Sequence, residues 1–196
     1  GCTTGLTATV ADNVIAPTAL IEPPDTLTCT QTTLLLNGQD AGSGTDISYL
    51  WTTTDGNILT GDDQTTPEVD APGNYFLIVT DNSNACTDTA QVTVLEDVAS
   101  PAAEAGPADT LTCSAESLIL TADSSSTGAA FLYAWTTTDG NILAGDSTLQ
   151  PTVDAPGNYQ LTVTNQLNGC TATDLVTIHE NVTPPAINLA PPTDLT

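Results

Sequence analysis

The chain has 196 residues with 24 Asp plus Glu, no Lys, no Arg, no Met and one His, for a formal net charge of -24 at pH 7. Without a cation it has no basic groove to replace the counterions of a nucleic acid or an anionic lipid surface, no phosphate-binding lysine and no arginine clamp. A hydrophobic content of 39% is that of a folded chain and not of an acidic tail, and no apolar run approaches the roughly 18 residues of a membrane span.

Self-similarity organises the rest. Cys29 and Cys113, Cys86 and Cys170, and Trp51 and Trp135 each lie 84 residues apart. Trp51-Thr52-Thr53-Thr54-Asp55-Gly56-Asn57-Ile58-Leu59 recurs unchanged from Trp135 to Leu143, and Val69-Asp70-Ala71-Pro72-Gly73-Asn74-Tyr75 recurs from Val153 to Tyr159. The frame predicts the last strand of one repeat over residues 1–15, full repeats over 16–99 and 100–183, and the start of another over 184–196. With no Met and no signal-like segment at Gly1, the expectation is an excised piece of a longer tandem array.

In chain order, the proline-containing stretches Ala16-Pro17 to Pro24, Ser100-Pro101 to Pro107 and Pro184-Pro185 to Pro192 read as stiff linkers. Asn37-Gly38, Asp55-Gly56-Asn57, Gly61-Asp62, Ala71-Pro72-Gly73-Asn74 and Asn168-Gly169 read as turns. Tyr75 to Val79, Gln91 to Val94 and Tyr159 to Thr164 read as strands, with a two-residue alternation in the last two. Threonine supplies 38 residues, and a β-branched hydroxyl residue suits the solvent face of a sheet. Short strands, regular turns and one Trp per repeat predict an all-β fold of tandem immunoglobulin-like Greek-key sandwiches with an 84-residue repeat. Trp51 and Trp135 are expected in the cores, the other use of such a residue being an exposed sugar-stacking platform.

The set Asp109-Thr110-Leu111-Thr112-Cys113, Tyr133-Ala134-Trp135-Thr136-Thr137-Thr138-Asp139-Gly140, Pro156-Gly157-Asn158-Tyr159 and Asn168-Gly169-Cys170-Thr171 resembles the tandem PKD-like, immunoglobulin-like repeats of large Bacteroidota cell-surface proteins. The resemblance covers essentially the whole chain. It implies a stalk, adhesin or filament segment secreted across the outer membrane. Against the PKD motif itself, Trp51 to Gly56 keeps the Trp and the Asp-Gly but has threonines between them.

Five cysteines at this period read as structural disulfides in an oxidising, extracellular compartment. The first register pairs Cys29 with Cys86 and Cys113 with Cys170, and leaves Cys2 for a partner outside the chain. A second register, Cys2 with Cys29 and Cys86 with Cys113, crosses the linkers. Reactive free thiols are the third reading. His179 replaces Leu95 of the preceding repeat, so it is expected to be incidental. With one His and no Lys or Arg, nucleophilic triads and histidine-based metal sites cannot be assembled. The adjacent acids Asp62-Asp63 become Asp146-Ser147 in the next copy, which leaves no repeated carboxylate pair for acid-base work; the expectation is no enzyme.

No resident cofactor is expected apart from calcium, for which Asp55, Asn57 and Asp62 and their counterparts Asp139, Asn141 and Asp146 offer oxygen ligands. A second location is Glu96 and Asp97, or Glu180. The competing reading of Asp-Gly-Asn is hairpin-turn chemistry. The family resemblance further implies O-glycans on Thr26, Thr89, Thr110 and Ser147, each of which follows an Asp. Expected partners are other copies of the chain or neighbouring repeats, with surface glycans as a further candidate. A sugar-binding module would need aromatic side chains beside the Asp-Gly-Asn loop, where Tyr49, Phe131 and Tyr133 are the candidates.

Overall fold

A computed structural model describes residues 15–42 and 46–183. The chain divides into two compact units with the boundary between Val98 and Ala99, one residue from the expected division. The predicted partial repeats over 1–15 and 184–196, apart from Ile15, lie outside the described residues, as does Cys2.

The first unit contains β1 (Ala19–Ile21), β2 (Leu27–Thr28), β3 (Leu34–Leu35), β4 (Gly38–Asp40), β5 (Ile47–Thr53), β6 (Ile58–Thr60), β7 (Glu68–Val69), β8 (Gly73–Asp81), β9 (Cys86–Val94) and β10 (Glu96–Asp97). One layer is the antiparallel sheet β5-β8-β9 and the other is β3-β7-β6. At one edge β2 runs parallel to β10, with Leu27 opposite Glu96 and Thr28 opposite Asp97. β1 pairs antiparallel with β4.

The second unit contains β11 (Asp109–Thr112), β12 (Leu118–Ile119), β13 (Phe131–Thr137), β14 (Ile142–Ala144), β15 (Thr152–Val153), β16 (Gly157–Asn165) and β17 (Thr171–Asn181). Its sheets are β11-β17-β16-β13 and β12-β15-β14. β11 is parallel to β17, with Thr112 opposite Asn181. Both units are therefore immunoglobulin-like β-sandwiches, as the repeat pattern predicts.

The alternation along β8 explains why the layers stick. Tyr75, Leu77 and Val79 point inward and are buried, and Leu161 and Val163 follow Tyr159 in the same way on β16. They meet Leu34 and Val69 of the facing sheet in the first unit and Val153 in the second, around Trp51 and Trp135. Each fully buried apolar side chain of this kind contributes about 1.5–3 kcal/mol. The opposite face of β9 carries Thr87, Thr89, Gln91 and Thr93, all exposed, which is where a β-branched hydroxyl residue was expected.

Two local readings change. Asn37-Gly38 is not a turn: Gly38 opens β4, and since β3 pairs with β7 and β4 with β1, the chain changes partners here. A Cβ on Gly38 would lie 2.5 Å from Trp51 Cζ2, so this glycine makes room for the indole. The first two proline-containing stretches are not linkers either, and the third, Pro184 to Pro192, lies outside the described residues. Pro17 and Pro101 are buried, Ala19 is in β1, and Ala105 belongs to the core of the second unit. Prolines cannot donate to a sheet ladder, and beside the β1–β4 ladder these segments use side-chain partners. Ala19 N–H donates to Asp88 Oδ2 at 2.9 Å, and Ala105 N–H donates to Asp174 Oδ2 at 2.7 Å.

Candidate functional site

The residues repeated without change assemble into one hydrogen-bonded corner in each unit. Tyr75 begins the inward row of β8, and its hydroxyl donates to the Ala71 carbonyl at 2.6 Å while accepting the Asn57 N–H at 3.0 Å. Tyr159 makes the same two bonds, to Ala155 at 2.6 Å and from Asn141 at 2.9 Å. This is the tyrosine corner of immunoglobulin-like sandwiches. Burial pushes the Tyr75 phenol up from its ordinary value, against the backbone hydrogen bond with Asn57.

Asp55 ties the Asp-Gly-Asn loop to the start of β8. Its Oδ1 accepts the Asn74 backbone N–H at 2.8 Å and its Oδ2 accepts the Asn74 amide at 2.9 Å. Asp139 does the same with Asn158, at 2.8 and 3.0 Å. The backbone N–H of Asn74 holds the Asp55 carboxyl below its usual range, and that of Asn158 does so for Asp139. Asn57 donates its amide to Asp70, and Asn141 donates to Asp154, both at 2.7 Å. Gly56 and Gly140 sit where a Cβ would come within 2.4 Å of the tyrosine hydroxyl. Asp62 and Asp146 contribute their backbone carbonyls, which accept the N–H of Trp51 and Trp135 at 2.7 Å. The indoles donate to Gln64 and Thr148 carbonyls at 2.8 and 2.9 Å.

The six residues put forward for calcium thus have defined places. Four side chains are joined to Asn74, Asn158, Asp70 and Asp154. Asn141 and Asp146 also line a depression of about 400 Å³ along β13 and β14. Among the described residues, no three His, Cys, Asp or Glu side chains are grouped so as to hold a metal ion. Of the glycosylation candidates, Thr89 and Ser147 are exposed, while Thr26 and Thr110 are half-buried. Tyr49, Phe131 and Tyr133 are half-buried against the cores, and the Tyr133 hydroxyl donates to the Ser126 carbonyl at 2.9 Å. His179 is exposed and stands opposite Thr110.

The cysteines depart furthest from expectation. Cys86 and Cys113 are free thiols, whereas Cys29 and Cys170 are disulfide-bonded. Neither the Cys29–Cys86 and Cys113–Cys170 register nor a Cys86–Cys113 bond is formed. The reason lies in the strand order. Cys86 begins β9, while Cys29 follows Thr28, which pairs with Asp97 beyond the far end of β9. The thirteen residues from Cys86 to Val98, running on through β9 and β10, span roughly 35–40 Å, and a disulfide requires Cα atoms roughly 4.4–6.8 Å apart. The second unit repeats the arrangement: Cys170 precedes β17, and Cys113 follows Thr112, opposite Asn181 near its end. Each sandwich carries its two cysteines at opposite ends.

One of those ends is where the chain arrives. Asn84 donates its amide to the Ile15 carbonyl at 2.9 Å and accepts the Cys86 N–H at 2.8 Å. Asn168 donates to the Ala99 carbonyl and accepts the Cys170 N–H, both at 3.0 Å. The sequence shows Asn168-Gly169 only as a turn, because the bonded carbonyl is 69 residues away. Cys86 and Cys170 belong to this arrival end; Cys29 and Cys113 belong to the departure end.

No protein-family model and no curated protein matches the chain. Solved structures similar to it include the I67–I69 fragment of the titin I-band, at 9% identity and TM-score 0.41, covering 85% of this chain and 66% of that one. Another is the N-terminal eight Ig domains of Down syndrome cell adhesion molecule, at 12% identity and TM-score 0.41, covering 85% and 25%. A third holds three N-terminal domains of the bacteriophage RB49 outer capsid protein Hoc, at 15% identity and TM-score 0.42, covering 84% and 58%. The chain spans a quarter to two-thirds of the length of these structures. The sandwich assignment rests on the strand order and core of each unit.

Proposed function

We propose that this chain is a segment of a non-enzymatic extracellular structural protein, a tandem array of immunoglobulin-like sandwiches that builds a cell-surface stalk or filament with an adhesive or scaffolding role. The observation that carries the reading is the use of the repeated residues. The stretches identical in both copies supply the buried indole, the tyrosine corner and the loop ties, so what the repeat preserves is a folded building block. Disulfide-bonded Cys29 and Cys170 fit an oxidising compartment. A surface without Lys or Arg offers no cleavage site to trypsin-like proteases. The resemblance to PKD-like repeats of Bacteroidota surface proteins belongs to the same reading, as does glycosylation at exposed Thr89 and Ser147. Partners are then neighbouring repeats or other copies.

Electron microscopy of the native material tests the proposal. Extended filaments, or strings of beads with one bead per sandwich, support it. Discrete compact particles with no extended element overturn it.

A further inference from the structure

Among the described residues, the two thiols that remain free stand at opposite kinds of end. Cys86 is half-buried at the arrival end of the first sandwich, two residues from the Asn84 that holds the incoming chain. Cys113 is exposed at the departure end of the second. A lone thiol in either place would mean little. Here, however, each has a repeat counterpart in the other sandwich, and both counterparts are disulfide-bonded: Cys170 for Cys86 and Cys29 for Cys113. Both kinds of end therefore accept a disulfide within this fold, and strand length forbids making it inside one sandwich. Cys113 also lines a depression of about 360 Å³ with Leu111, Glu116, Asp154, Glu180 and Val182, which offers space for another end.

We propose that Cys86 and Cys113 are joining thiols: the departure-end Cys113 of one copy of this chain forms a disulfide with the arrival-end Cys86 of a second copy, linking copies head to tail. The occupant is a second copy because the cysteines found bonded comprise one of each kind. The inference does not depend on what the array anchors or adheres to.

The chemistry balances with a low-molecular-weight disulfide as oxidant. The Cys113 thiolate attacks one of its sulfurs and expels a first small thiolate. The Cys86 thiolate of the second copy then attacks the mixed disulfide at the Cys113 sulfur and expels the second. Two cysteine thiols are oxidised, the small disulfide is reduced to two thiols, and the two protons follow the departing thiolates. Glu116, Asp154 and Glu180 beside Cys113 repel another acidic chain, so joining is favoured by salt.

The test uses the full chain in a Cys2→Ser background, with oxidised glutathione in about 0.5 M NaCl. Cys86→Ser and Cys113→Ser are prepared separately, and thermal melts verify that both fold. Alone, each variant stays monomeric on a non-reducing gel; mixed, they give a dimer. A protease that cuts after Asp or Glu releases a peptide pair linked through Cys86 and Cys113, whereas the chain with both thiols forms a ladder. A mixture that remains monomeric, or single variants that dimerise as readily as the mixture, overturns the proposal.

Discussion

Asn168 donates its side-chain amide to the carbonyl of Ala99 at 3.0 Å, and with that bond it fixes where the chain arrives in the second sandwich. The same side chain accepts the N–H of Cys170. Arrival of the chain and placement of a cysteine are thus one structural event, repeated at Asn84, Ile15 and Cys86. Asn168 is almost fully buried. Asn168→Ala leaves both partners short of a bond, and the expected loss is about 1–3 kcal/mol in urea unfolding of the chain. Faster hydrogen exchange at the Cys170 amide, whose acceptor is lost, should accompany it.

The tyrosine corner gives a second quantity. Tyr159→Phe keeps the buried ring but leaves the Asn141 N–H and the Ala155 carbonyl unpaired. A loss of about 1–3 kcal/mol is expected, with unfolding still cooperative. Denaturant titration followed by Trp fluorescence measures it. An unchanged midpoint would mean that water replaces the hydroxyl without cost.

Backbone strain separates the two copies. Ala85 has φ of 60°, whereas its counterpart Gly169 has φ of 70°. A non-glycine residue in this left-handed region costs about 1–2 kcal/mol, which glycine partly offsets by its larger entropy loss on folding. Ala85→Gly should therefore raise the melting temperature, with a gain of up to about 1 kcal/mol. Gly169→Ala should lower it.

The acid response follows from Asp55 and Asp139, both held below the ordinary carboxylate value by backbone N–H groups. Their ionised forms favour the folded state at every pH above the ordinary Asp range, about 4. That contribution is lost as pH falls through this range toward the lowered values. The double variant Asp55→Asn, Asp139→Asn keeps amide acceptors but has no such titration. Its melting temperature should lie below that of the parent at neutral pH, and the gap should close between about pH 4 and pH 2. A constant gap would contradict the argument.

Salt and calcium separate two effects. Going from about 10 mM to about 1 M NaCl shortens the Debye length from about 30 to about 3 Å, so a chain with net charge -24 and no cation should melt higher. Calcium at matched ionic strength should add nothing, since Asp139 and Asn141 are already joined to Asn158 and Asp154. A further rise of several degrees would establish the depression at Asn141 and Asp146 as a cation site.

Much of the fold was legible because it is written locally. The inward rows after Tyr75 and Tyr159 follow a two-residue period, and the 84-residue frame finds Trp51 and Trp135 in both cores. The long-range partners were not legible. Asp88 holds Ala19 in β1 and Asp174 holds Ala105 in the segment before β11, yet they sit two residues apart in the repeat frame, where Asp88-Thr89-Ala90 faces Ala172-Thr173-Asp174. A shift of two preserves the inward face of a strand, so the function survives while the alignment hides it. The cysteine pairing was missed for a related reason. Spacing along the chain does not say that β2 runs parallel to β10, and that direction carries Cys29 to the end remote from Cys86.

Disulfide mapping of the protein isolated from its native source, without reduction and with an Asp- or Glu-directed protease, bears most directly on the account. It predicts that no cysteine is bonded to the other cysteine of its own sandwich. A linked peptide pair joining Cys29 to Cys86, or Cys113 to Cys170, would contradict it.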